Sequence, residues 1–377
     1  LIGDIAMILQ LDLYDLCRNF VNDNTNWLPV GENELILGLI RARDFKTLAQ
    51  LATDPRIHIS NARACKFYLQ IEAFFKKCED LRDELVTRPA AILAFERGER
   101  LCRITNKRLD YYYGHQDRLD PELGLLVRRA SRFIDDALGD YTTFLNSIPE
   151  FVKITGGATA SRPRAHSQPV KKISRTIECA PGSVNYAKTL ANHYGLQGLT
   201  HFKMTPWNRV EFVPKNWKTD RTIACEPTGS LPFQLAFDGY VKTRLIKRGV
   251  DLSDQTGNQR HAMRGSITDD LCTIDLSMAS DTVAFNTVAW LLPKPWLDYL
   301  AAHRSARFHH PVDKADSKYA KFSSMGNGAT FALETLIFLS FVRAAGCREG
   351  LVYGDDITIH KDHVRKLLKL LRFFGFV

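Results

Sequence analysis

Residues 351–360 read LVYGDDITIH, and this stretch decides the fold class. Apolar and β-branched residues flank Gly354-Asp355-Asp356, the pattern of a tight β-hairpin in which Gly354 takes a positive φ. Two adjacent acids at such a tip repel one another, and a bound divalent cation relieves that repulsion directly. A turn that is simply rich in Gly and Asp has the same wording, so the hairpin needs partners elsewhere in the chain.

Working towards the N-terminus, residues 323–342, SSMGNGATFALETLIFLSFV, form a small-residue loop that opens an apolar helix. Backbone N–H groups at such a loop suit an anion or a ribose-phosphate. Glu334 falls four residues after Thr330, on the same helix face. Earlier still, CTIDLSMASDTV (272–283) reads as a strand that delivers Asp275 at its end. Ser280 or Asp281 then caps a helix through AFNTVAWLL. An acid within Thr-Ile-Asp-Leu is costly to bury unless it meets a cation. In VPKNWKTDRTIACEPTGS (213–230), Lys215, Lys218 and Arg221 recur every three residues beside a strand. They fit either a grip on a triphosphate or an edge strand blunted by lysine.

Residues 151–177 contain no acid, while Lys153, Arg162, Arg164, Lys171, Lys172 and Arg175 supply six cations. Gly156, Gly157, Pro163 and Pro169 interrupt regular structure there, giving a basic loop that suits an RNA backbone or simply faces solvent. Helical periodicity dominates residues 1–148, as in ACKFYLQIEAFFKKCEDLRDEL and RLCRITNKRLDYYY. Further helices are expected over 231–248, ended by Gly249, and over 361–374, with Gly375 just past its end. The alternation of strand and helix beyond Gly265 indicates an α+β unit.

The 377 residues carry a net charge of +9, which fits a polyanionic partner, and their length calls for two or three subdomains. The eight cysteines lie singly, with no C-x-x-C spacing, so the chain reads as reduced, cytosolic and without a zinc or disulfide framework. The apolar run 331–342 contains Glu334 and is too short to span a bilayer. Residues 1–16 lack the basic start of a signal peptide. Leu1 and the strand-like Phe376-Val377 give the expectation that both ends are cut.

Four segments in this order, basic strand, Asp-bearing strand, small-residue loop with helix, and YGDD hairpin, resemble the palm of viral RNA-dependent RNA polymerases. More narrowly, VPKNWKTDR, VDLSDQTGNQR, DLSMASD, SSMGNGATFALE and VYGDD resemble the replicase subunit of positive-strand RNA bacteriophages of the Qβ type. The resemblance is specific from 151 to 360; before that, GERLCRITNKRL carries it.

This resemblance implies a right-handed fingers–palm–thumb polymerase of α+β class. Residues 1–150 would be a helical part of the fingers, 151–265 fingers with RNA- and NTP-contacting loops, and 266–377 an incomplete palm, with the thumb missing. It implies two Mg²⁺ ions, with Mn²⁺ as a substitute, bridged by Asp275 and Asp355 and assisted by Asp356. Lys215, Lys218 and Arg221 would lie over the incoming triphosphate. Asp281 and the loop residues Ser324, Gly326 and Asn327 would sense the ribose. Arg162, Arg164, Lys171, Lys172 and Arg175 are expected to bind RNA. Glu334 departs from the wider viral pattern, which places Asn there. Implied partners are template and product RNA, NTPs, host elongation factors Tu and Ts and a ribosomal protein. The implied place of action is the cytoplasm of an infected bacterium. Two other readings share these features: a reverse transcriptase, and an RNA-binding protein that keeps the fold without catalysis. Gly354 and the SSMGNG loop argue against the first, and three intact aspartates against the second.

Overall fold

The computed structural model describes residues 30–50, 81–173, 176–196 and 201–376, together with Asp15, Arg18, Asn19, Lys66, Leu69, Gln70 and Ala73. Most of the amphipathic stretch at 64–85, and Arg175, lie outside the described residues. The chain divides into two units, residues 1–91 with 212–221, and residues 92–211 with 222–377.

In the first unit, helices α1 (Val30–Arg41) and α2 (Phe45–Gln50) bury Ile36, Ile40 and Leu48. Residues 212–221 form the tip of the hairpin that joins β3 (Trp207–Pro214) to β4 (Asp220–Cys225). Asn216 shapes this tip, its side chain accepting the N–H groups of Lys218 and Thr219 at 3.0 and 2.9 Å. Arg82 clamps the buried Asp220 with two bonds of 2.9 and 3.1 Å, a bidentate geometry that satisfies the buried charge.

The second unit contains residues 92–114 of α3 (Glu84–Gly114), then α4 (Pro121–Leu138) and α5 (Tyr141–Phe151). Asp120 and Asp140 cap α4 and α5, accepting the N–H groups of Leu123 at 2.8 Å and Thr143 at 2.7 Å. After a short helix α6 (Pro169–Lys172) come β1 (Thr176–Cys179), α7 (Val184–His193) and β2 (His201–Met204), with β1 and β2 parallel. Next are α8 (Leu231–Ile246), α9 (Thr256–Thr268), β5 (Leu271–Ile274), α10 (Phe285–Leu291) and α11 (Lys294–His303). Strands β6 (Arg307–His309) and β7 (Asp316–Lys318) extend a sheet of order β4-β3-β6-β7. The chain continues through α12 (Thr330–Ala344), β8 (Leu351–Tyr353), β9 (Asp356–His360) and α13 (Val364–Phe373).

Helix α12 explains the core. Leu333, Leu336, Ile337, Phe338, Leu339 and Phe341 are all buried, so the helix is apolar around its circumference and runs through the interior rather than over it. It packs along α4 and α8 and against β8 and α13. Phe144, Phe233, Phe237, Trp296 and Tyr299 fill the neighbouring space, all nearly fully buried. Strands β5, β9 and β8 form a three-stranded antiparallel sheet, in that order. Ile357 and Ile359 of β9 enter the main core, while Thr358 between them meets His261 of α9 at 2.9 Å. That alternation fixes the register, since a one-residue slip exchanges these faces.

The expected helices at 231–248 and 361–374 are present over slightly shorter spans, and Gly249 and Gly375 follow them with φ of +83° and +88°. The second of these helices is preceded by a 3₁₀ turn, Lys361–His363. Among the described residues, no helix is long and apolar enough to cross a membrane.

Candidate active site

The β5–β9 ladder runs from Leu271↔His360 to Ile274↔Ile357, and Asp275 is the next residue along. The β8–β9 ladder ends at Tyr353↔Asp356, so Gly354 and Asp355 make a two-residue turn at that same end of the sheet. Register alone therefore brings Asp275 beside the strand end that carries Asp355 and Asp356. Gly354 has φ +62°, and a Cβ there would lie 2.6 Å from Phe331 Cε2. Its N–H donates to Thr335 Oγ1 at 3.0 Å, so the second turn of α12 holds the turn in place. Only glycine fits both the backbone angle and the packing.

Asp356 is held from the other side. Its Oδ2 accepts from Gln255 Nε2 at 3.0 Å, and its carbonyl accepts from Asn258 Nδ2 at 2.8 Å. Both donors belong to the VDLSDQTGNQR segment, whose role the sequence left open. Asp275 is exposed rather than sunk in an apolar strand, so the burial cost expected for it does not arise.

Asp281 does not cap a helix. It ends a 3₁₀ turn, Ala279–Asp281, and α10 begins only at Phe285. Its Oδ1 instead accepts from Lys321 Nζ at 2.8 Å. Lys321 is buried against the Phe95 ring, 4.3 Å from its centroid, a contact that sequence inspection missed because its partners are over 200 residues apart. The competing structure is an ion pair, which a capping pattern cannot reveal.

Glu334 is buried one helical turn into α12. Burial, then the carboxylates of Asp355 and Asp281, push its carboxyl up to about 8. The loop before α12 is tied on every side. Met325 O accepts from Ala224 N at 2.8 Å, Gly328 N donates to Gln234 Oε1 at 2.9 Å, and Ala329 N donates to Asn327 Oδ1 at 2.9 Å. Gly326 has φ +108°, and a Cβ there would meet Ala224 O at 2.4 Å. Ser324 and Asn327 are buried. Beneath the loop, the fully buried Glu226 accepts from Asn208, Gln234 and Ser305 at 2.9–3.1 Å. Burial pushes its carboxyl up, and these donors oppose that.

Lys215, Lys218 and Arg221 belong to the first unit, on the hairpin tip described above. In the basic loop, Arg162 closes a turn with Thr159, while Arg164 and Lys171 are exposed. Lys172 corrects the expectation of a phosphate contact. It is buried, and its ammonium donates to the carbonyls of Thr155 and Gly157, so it braces the loop from within. Free ammonium groups facing solvent attract phosphate; this one is buried and has committed two of its three donors to carbonyls.

Asp275, Asp355 and Asp356 offer hard carboxylate oxygens, the donor type that suits Mg²⁺. Among the described residues, no three His, Cys, Asp or Glu side chains are arranged to hold a metal ion unaided. Mg²⁺ in general takes few protein ligands and completes its shell with water and substrate phosphates. Asp355 and Asp281 already act together on buried Glu334, a concentration of acid that a cation offsets.

Residues 44–377 match the family described as RNA replicase, beta-chain. The chain is 36% identical over 321 residues to the RNA-directed RNA polymerase subunit beta of Escherichia virus Qbeta, covering 82% of this chain and 53% of that protein. To the same subunit of Qbeta virus (strain MX1) it is 35% identical, covering 86% of this chain and 56% of that protein. To that of Enterobacteria phage SP it is also 35% identical, covering 77% and 51%. The chain thus spans about half the length of these relatives. A solved RdRp complex aligns with a TM-score of 0.41 and 11% identity over 69% of this chain and 27% of that one, too low to bear on subdomain arrangement. With the family match extending over most of its length, the chain belongs to the RNA replicase beta-chain family.

Proposed function

We propose that this chain supplies the catalytic centre of an RNA-directed RNA polymerase, joining ribonucleotides on an RNA template of a positive-strand RNA phage. The observation that carries this reading is the placement of Asp275, Asp355 and Asp356 at one end of the β5-β9-β8 sheet. In the proposed reaction an RNA 3′-OH attacks the α-phosphorus of an NTP and pyrophosphate leaves. Bound divalent cations, Mg²⁺ or Mn²⁺ in its place, would supply charge stabilisation for the entering and leaving oxygens.

The chain's own groups bind and orient. Asp275 and Asp355 would hold the ions, and Asp356, steadied by Gln255 and Asn258, would assist them. Lys321 fixes Asp281, and the tied loop fixes Ser324, Gly326 and Asn327, at the ribose-sensing positions. Lys215, Lys218 and Arg221 are proposed to grip the triphosphate, and Arg162, Arg164 and Lys171 the RNA backbone. The proposed architecture is fingers–palm–thumb, with residues 1–150 and 151–265 in the fingers and 266–377 in the palm. Elongation factors Tu and Ts, a ribosomal protein and the host cytoplasm belong to the same proposal, on family resemblance.

The test is extension of a primed RNA template by the chain and by a longer natural relative, with labelled rNTPs or dNTPs. Mg²⁺-dependent rNTP addition is expected. Preference for dNTPs would favour a reverse transcriptase, and binding without addition in both proteins a non-catalytic role.

A further inference from the structure

Helix α3 exposes Arg97, Arg100, Arg103 and Lys107 at spacings of three, three and four residues. That spacing keeps them on one side of the helix, over about 15 Å of its length. None of them forms an ion pair with a carboxylate among the described residues, nor does Lys318 at the end of β7. Arg97, Arg100, Arg103 and Lys318 line one groove of about 460 Å³. Its acids are either paired or buried. Glu96 meets His310 Nε2 at 3.1 Å, and Glu99 is buried with Oε2 accepting from Ala320 N at 2.7 Å. Burial also pushes the Glu99 carboxyl up, towards its neutral form. The groove therefore presents four cations against one partly exposed, already paired acid. Such an excess of one sign raises the local concentration of anions.

We propose that this groove binds the phosphate backbone of a single RNA strand, independently of its sequence. Three observations favour a strand over a free nucleotide. The cations are distributed along the helix instead of converging on one point. The groove has no exposed aromatic platform for a base, because Phe95 and Phe308 are buried against each other with ring centroids 5.1 Å apart. Finally, the same helix backs onto the proposed active site: a Cβ on Gly98 would lie 3.0 Å from Asp281 O, and Cys102 Sγ lies 3.5 Å from that oxygen. The cations project from the opposite face of that helix, so a strand held here lies along the outside of the element that backs the site. The inference rests on the polymerase reading for its ligand, but its test does not require catalysis.

The experiment is fluorescence anisotropy with end-labelled oligo-A, oligo-C and oligo-U across a salt series. It compares the chain with Arg97→Gln/Arg100→Gln/Arg103→Gln and with the charge-keeping Arg→Lys triple. For single strands, each lost phosphate contact lowers the slope of log affinity against log salt by about 0.7, so the Gln triple should lose about 2. The loss should be equal for all three homopolymers, and the Lys triple should keep the parent slope. An unchanged slope in the Gln triple overturns the groove. So does a loss confined to one homopolymer, or an unchanged slope with weakened ATP competition, which would make it a nucleotide site. A Lys triple that loses slope as the Gln triple does also overturns it, since the charge would then not be the cause. If the parent chain shows no salt-dependent RNA binding at all, the wider polymerase reading fails with it.

Discussion

Glu334→Gln separates the electrostatics of the buried carboxyl from its packing, because the amide keeps the shape and cannot ionise. Glu334 is 5% exposed, so solvent screening does little to soften its environment. In the folded chain its carboxyl is carried from the ordinary 4.5 to about 8, first by burial and then by Asp355 and Asp281. The folded state thus holds the proton more tightly than the unfolded state. Below pH 4.5 both states are protonated and the group costs nothing. Between 4.5 and about 8 only the unfolded state releases the proton, so stability falls as pH rises. Above about 8 the loss is complete, and a displacement of this size corresponds to roughly 4–5 kcal/mol. Urea denaturation of both proteins, in EDTA, at intervals from pH 4 to 9 reads this out. The Gln variant should gain on the parent progressively through that window, whatever constant offset the amide introduces. Added Mg²⁺ should reduce the gain only in part, because it offsets the two aspartates and leaves the burial. A stability difference that stays flat with pH would refute the reasoning and show that the Glu334 carboxyl is solvated or paired.

Other substitutions test the geometry directly. Asp355→Asn should cut nucleotide addition by at least about 10²–10³, the scale for one preorganised electrostatic contact, with far-UV circular dichroism unchanged. Adding Asp275→Asn should cost much less than a second factor of that size, because both hold the same ions; full additivity in single-turnover rates would place them in separate sites. Gly354→Ala should destabilise the chain by about 1–3 kcal/mol in urea melts, from the positive φ and the contact with Phe331. Lys172→Ala should expose residues 151–173 to limited proteolysis by removing the brace on Thr155 and Gly157. Arg164→Ala should leave proteolysis unchanged and flatten the salt dependence of RNA binding.

Local rules were enough for the parts of this chain whose causes are local. Gly354 and Gly375 occupy the positive-φ positions their neighbours implied, since turn and helix-end chemistry depend on a few adjacent residues. The apolar run in 331–342 could only be a buried element, and it is the central helix. The order of motifs named the family because each motif is short and contiguous. Tertiary structure decided what depends on distant partners. Asp281 looked like a helix cap until Lys321 reached it, and Lys172 looked like a phosphate ligand until the loop folded back over its ammonium. The proximity of Asp275 to Asp355 and Asp356 is a matter of strand register between distant segments, and Glu334 acquires its raised pKa from burial and from the Asp355 and Asp281 carboxylates, all of which packing imposes. Charge, burial and register are properties of the assembled core, because the energy of a charged group is set by what surrounds it and not by its neighbours in the chain.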